Sequence, residues 1–134
     1  INLFMLTAIN CKELVELAKT NEGASLIDVR TQVEWDQDGK PNGKEIGLNT
    51  YFISFMIDVE EGRIINSEFE KKFEELKLDK SKAVFVMCKS GFRSFKAAEL
   101  IEKKGFKTFN IINGFICSED VEPNCWKTSG LPVL

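Results

Sequence analysis

Histidine is absent from all 134 residues of this chain. That gap excludes a Ser-His-Asp triad, a Cys-His nucleophile pair and any metal site built on imidazole. Proton transfer near neutral pH then falls to perturbed Cys, Lys, Asp or Glu side chains, or to the substrate. Cysteine is sparse: Cys11, Cys88, Cys117 and Cys125 are the four, and no two stand at Cys-x-x-Cys spacing. A zinc knuckle and a thioredoxin-type motif are therefore missing. An even count admits two disulfides, but a chain of this size reads as reduced and cytoplasmic. A basic excess is also lacking, since 18 Lys and Arg face 21 Asp and Glu for a net charge of −3. Nucleic acid and anionic membranes are poor partners for such a surface, and any anion site must be built locally. Long apolar runs are missing too. Ile1 to Ile9 is apolar but too short to span a bilayer, and neither a basic flank nor a small-residue cleavage site accompanies it.

What is present suits one globular domain over residues 1–134, with 43% hydrophobic and 29% charged residues. Asn10 and Glu13 form a capping box ahead of a helix whose apolar face is Leu14, Val15, Leu17 and Ala18. Ser25 to Val29 reads as a buried strand, residues 32–38 as a short helix or turn, and Gly39 to Gly47 as loop. Asn49 to Ile57 reads as a strand with an irregular continuation, and Glu60 to Arg63 as a turn. Ser67 and Glu70 suggest a second capping box, before Phe69, Phe73 and Leu76 at helical spacing. Ala83 to Met87 is the strongest strand pattern. Ser94 to Lys104 reads as a helix packing through Phe95, Ala98, Leu100 and Ile101, with Gly105 as its C-terminal cap. Phe109 to Ile112 is a further buried strand, followed by an Asn113-Gly114 turn and a long loop to Trp126. Alternating strands and helices, with strands apolar throughout, predict an α/β fold: a parallel sheet covered on both faces.

The segment that carries chemistry is Cys88-Lys89-Ser90-Gly91-Phe92-Arg93-Ser94, between a buried strand and a helix. Ligands of open α/β sheets bind beyond the carboxyl ends of strands. A loop curling there aims backbone N–H groups into one cup and favours an anion. A thiol at its start is stabilised as the thiolate, the nucleophilic form, and Lys89 and Arg93 add positive charge. Gly91 allows the backbone a tight cup needs, and Ser94 can cap the helix or turn its hydroxyl into the cup.

Cys88 to Ser94 resembles the active-site loop of rhodanese domains. Leu26-Ile27-Asp28-Val29-Arg30, followed by Glu34 and Trp35, is similar to that family's Asp-Val-Arg segment. Phe109 to Gly114 and Trp126 to Pro132 resemble its last strand and closing segment. The likeness runs from about Leu6 to Val133. It departs at Gly39 to Leu48, which lacks the family's frequent histidine, at Phe115 in place of a second glycine, and at the long loop holding Cys117 and Cys125. The resemblance implies a three-layer domain around a mainly parallel five-stranded sheet, and a sulfurtransferase without metal or cofactor. Cys88 would take a sulfane sulfur from a small anionic donor such as thiosulfate, or from a persulfide, and pass it to cyanide or to a thiol, including a protein thiol. Lys89, Ser90, Gly91, Phe92, Arg93 and Ser94 would bind the donor.

Blander readings stand beside these. Cys88 alone could be an inert buried cysteine. Arg93 is read as the anion-binding cation, with a structural ion pair as its alternative, and Lys89 is as well explained by solvation. Asp28 and Arg30 read as scaffold, Trp126 as core, Cys11 as a small packed group, and Cys117 and Cys125 as spectators. Two other functions remain open. One is a cysteine phosphatase or arsenate reductase, although its Cys-x5-Arg loop would put Arg where Ser94 stands. The other is a non-catalytic redox-sensing module.

Overall fold

The computed structural model describes residues 6–117 and 125–134. The Ile1 to Ile9 segment and the loop before Trp126 therefore lie partly outside the described residues.

Chain order is β1 (Leu6–Ile9), α1 (Cys11–Thr20), β2 (Ser25–Asp28), α2 (Gln32–Asp38), β3 (Asn49–Phe52), β4 (Met56–Val59), β5 (Gly62–Ile65), α3 (Phe69–Glu75), β6 (Val84–Met87), α4 (Phe92–Lys103) and β7 (Thr108–Ile111). The main sheet has five strands in the order β1-β7-β6-β2-β3, every neighbouring pair parallel. Parallel strands need crossovers, and the helices that supply them cover the sheet's faces.

The alternation of side chains along β6 divides the core in two. Phe85 and Met87 join Leu14 and Ala18 of α1, Ile111 and Trp126 on one face. Val84, Val86 and Cys88 join Phe69 and Phe73 of α3 and Ala97, Ala98 and Ile101 of α4 on the other. Cys88 is thus aimed at the α4 layer by the parity of the strand that leads into it. The same alternation in β7 puts Phe109 and Ile111 in the first core and leaves Asn110 on the α4 face.

Several expectations need correction. The sequence shows β1 only as part of an apolar segment. It is a short edge strand in which Ile9 alone is buried, too little burial to leave a pattern. Met56 to Ile65 folds into an antiparallel hairpin, so Gly62 and Arg63 belong to β5 and not to a turn. Ser67 and Glu70 form no capping box. Glu68 is the N-cap residue of α3 and makes no side-chain cap, while the Asn66 side chain accepts from the Glu68 N–H at 3.0 Å. A box not foreseen opens α2, where Thr31 and Glu34 cap each other reciprocally. Phe95 does not pack inside and is 41% exposed. Among the described residues, no helix is long and apolar enough to cross a membrane.

Candidate active site

β6 ends at Met87, and Cys88 follows at the carboxyl edge of the sheet's central strand, almost fully buried. The chain then curls through exposed Lys89 and Ser90 to Gly91. Gly91 is the N-cap of α4 with φ +103°, and a Cβ there would collide with the Ile112 carbonyl. Both facts demand glycine. Ser94 is therefore not the cap, contrary to one of its two expected roles. It lies in the first turn with its hydroxyl facing the cup, which is the other.

Four groups close a ring of hydrogen bonds. The Gly91 N–H donates to Cys88 Sγ at 3.0 Å, and Cys88 S–H donates to Ser94 Oγ at 3.3 Å. The Ser94 hydroxyl donates to Asn110 Oδ1 at 2.5 Å, and Asn110 Nδ2 donates to the Gly91 carbonyl at 3.1 Å. A polar side chain buried on β7 is stable only with such partners. Asn110 was not singled out from the sequence, although a lone amide inside the apolar run Phe109 to Ile112 was a usable signal.

Arg93 turns away from solvent onto Glu34. Its two terminal nitrogens meet the two carboxylate oxygens at 2.5 and 2.8 Å. Burial opposes charge on both groups. For Glu34 it is outweighed by the hydrogen bonds from Arg93 and the Thr31 N–H and by the charges of Arg93 and Arg63, which bring the carboxyl down to about 2. For Arg93, Glu34 and the nearby Cys88 and Asp28 overcome burial and hold the guanidinium above its ordinary value. Arg63 of the hairpin approaches Glu34 at 3.4 Å and Asp58 at 3.0 Å. Nothing in the local sequence marked Glu34 as the partner of a residue 59 positions away.

Asp28 and Arg30 form a second buried pair, at 2.7 Å between Nη2 and Oδ2, and Arg30 also donates to the Gly39 carbonyl at 2.9 Å. The Arg30 guanidinium lies 4.0 Å over the Phe115 ring. Phe115 in turn donates its N–H to the Cys88 carbonyl at 2.9 Å. The pair braces the floor of the loop through Phe115. Phe92 points outward and is 70% exposed.

The expectation of four reduced cysteines is overturned. Cys117 and Cys125 form a disulfide with their Cα atoms 5.7 Å apart, while Cys11 and Cys88 are free. The Cys11 thiol is pushed up to about 12 by burial, which leaves it inert at neutral pH.

Three comparisons bear on this geometry. A model of the rhodanese-like domain matches residues 10–116. The chain is 36% identical over 115 residues to an uncharacterized protein of Rickettsia conorii, covering 84% of this chain and 85% of that protein. It is 31% identical over 102 residues to thiosulfate sulfurtransferase 18 of Arabidopsis thaliana, covering 75% of this chain and 71% of that protein. In three dimensions it is similar to the crystal structure of Rv0390 from M. tuberculosis, with a TM-score of 0.80, 26% identity and 96% of each chain covered.

Proposed function

The chain belongs to the rhodanese-like domain family, and on that premise we propose that it is a sulfurtransferase in which Cys88 carries the sulfur as a persulfide. The observation that carries this reading is the position of Cys88 Sγ at the carboxyl end of β6, accepting the Gly91 N–H at 3.0 Å. That N–H dipole has the polarity suited to a thiolate or to a persulfide anion. The thiolate attacks the outer sulfur of the donor, a Cys88–sulfur bond forms, and the donor's sulfur–sulfur bond breaks. Its electron pair departs on sulfite if the donor is thiosulfate, or on a thiolate if the donor is a persulfide. In the second half, an acceptor thiol or cyanide takes the outer sulfur and the Cys88 thiolate returns, a ping-pong sequence. The attacking form is the thiolate, reached when the Cys88 S–H that faces Ser94 Oγ gives up its proton. The loop from Cys88 to Arg93 spans six residues, a tighter cup than a phosphate requires.

Intact-mass measurement after incubation with donor tests the proposal. A gain of one sulfur atom, reversed by cyanide and abolished by Cys88→Ser, is the expected result. Hydrolysis of an aryl phosphate at Cys88 without any sulfur gain would point to the phosphatase alternative instead.

A further inference from the structure

Resting on the sulfur-transfer reading, we propose that Glu34 sets the choice of donor: it engages Arg93 and so makes the cup suit an uncharged hydropersulfide better than the thiosulfate dianion. Arg93 is the buried cation of the loop, in the first turn of α4 and next to Ser94, whose hydroxyl faces Cys88 Sγ. It is the group that would meet an anionic donor. Yet both of its terminal nitrogens are committed to the Glu34 carboxylate. Arg63 adds a second positive charge 3.4 Å from Glu34, and Asp58 sits 3.0 Å from Arg63. Two guanidinium groups and two carboxylates give this cluster no net charge. Lys89 is the remaining cation of the loop. It is exposed, and an exposed charge is weakened by water and salt.

The chemistry then separates the donors by charge. With a hydropersulfide, the Cys88 thiolate attacks the outer sulfur of R–S–S–H. The product is Cys88–S–S–H, and R–S⁻ leaves with the electron pair of the broken bond. The donor reacts in its protonated form, the one whose outer sulfur is electrophilic, and one negative charge is then present throughout. With thiosulfate the same attack yields Cys88–S–S⁻ and sulfite, and three negative charges share the cup from encounter to departure. Repulsion of that kind is largest where water is excluded, as it is around buried Cys88. Among the described residues, the buried guanidinium groups beside the loop, Arg93 and Arg30, are each paired with a carboxylate, so thiosulfate is the poorer donor.

The rate of sulfur gain on Cys88 from each donor tests this, read by quenched-flow mass spectrometry with thiosulfate and with the hydropersulfide of mercaptoethanol. Wild type is expected to react faster with the hydropersulfide. Glu34→Gln keeps the shape and one acceptor oxygen but removes the charge. It should raise the thiosulfate-to-hydropersulfide rate ratio by about tenfold or more. The double variant Glu34→Gln/Arg93→Gln removes the pair as a neutral unit and should return the ratio to near its wild-type value. It also supplies the comparison if the single variant does not fold. A wild-type preference for thiosulfate overturns the proposal. So does a ratio that Glu34→Gln moves by less than about twofold, or a selective loss of thiosulfate reactivity in the double variant. If no donor adds sulfur to Cys88 in the wild type, the sulfurtransferase reading fails and takes this inference with it.

Discussion

At the scale of single residues, the candidate nucleophile is held by a closed circuit and not by one strong contact. Cys88, Ser94, Asn110 and Gly91 each satisfy the next, so the loss of any member leaves buried groups unpaired. Asn110 is the member furthest from the sulfur in sequence, and its two contacts serve different purposes. Its oxygen orients the Ser94 hydroxyl, and its nitrogen pins the Gly91 carbonyl at the start of α4. Asn110→Ala leaves both partners buried without their bonds, a loss of about 1–3 kcal/mol. Urea unfolding should register that loss, and Cys88 should gain sulfur more slowly than in wild type. A variant with wild-type stability and rate would mean that the ring is incidental.

At the scale of elements, the seven-residue helix α2 buries Trp35 and presents Glu34. The same carboxylate caps its own helix through the Thr31 N–H and reaches across to α4 through Arg93. Its pKa is lowered on folding from an ordinary value of 4.5 to about 2. A depressed carboxyl contributes stability that is fully present above its unfolded value and is lost as the pH falls towards its folded value. The stability advantage of wild type over Glu34→Gln should therefore be constant above about pH 5, shrink below about pH 4.5 and vanish near pH 2. Urea midpoints of both proteins across that range measure it, and an advantage independent of pH would show that the Glu34 charge does not hold α2 to α4. The β4–β5 hairpin enters the site from a different direction by bringing Arg63 to Glu34. It stands apart from the main sheet and exposes Ile64 and Ile65, which is why its strands carried little alternation to read.

At the scale of the whole molecule, the C-terminal segment closes over the sheet edge that bears the site. The Trp126 N–H bonds the Gly114 carbonyl and the Lys127 N–H bonds the Phe115 carbonyl, at 2.9 and 3.1 Å. Trp126 itself is fully buried, and its ring nitrogen donates to the Pro132 carbonyl at 2.7 Å. The Cys117–Cys125 disulfide ties this segment to the strand-end turn across a separation of eight residues. A loop that short restricts the unfolded chain by about 2 kcal/mol. Mild reduction should lower the melting temperature by several degrees, while Cys88 still gains one sulfur atom from a donor. Calorimetry with and without reductant checks the first outcome, and intact mass checks the second.

The division between sequence and tertiary structure follows the range of the interactions. Patterns that act over a few residues were legible. The Asn10–Glu13 capping box, the apolar runs of β2, β6 and β7, the glycine at position 91 and the thiol at the end of the central strand all act locally. Together with the Asp28-Val29-Arg30 and Trp126 segments, they were enough to suggest the fold and the candidate nucleophile. What remained hidden depends on which segments the fold sets side by side. Glu34 meets Arg93 across 59 positions, and Cys117 finds Cys125 only because two segments are packed side by side. Asn110 becomes part of the site through the parity of a strand that only the sheet order places beside β6. Arg93 shows the difference most directly. Its type and place in the loop announce a cation facing the donor, and only the fold supplies the buried carboxylate that takes up its charge.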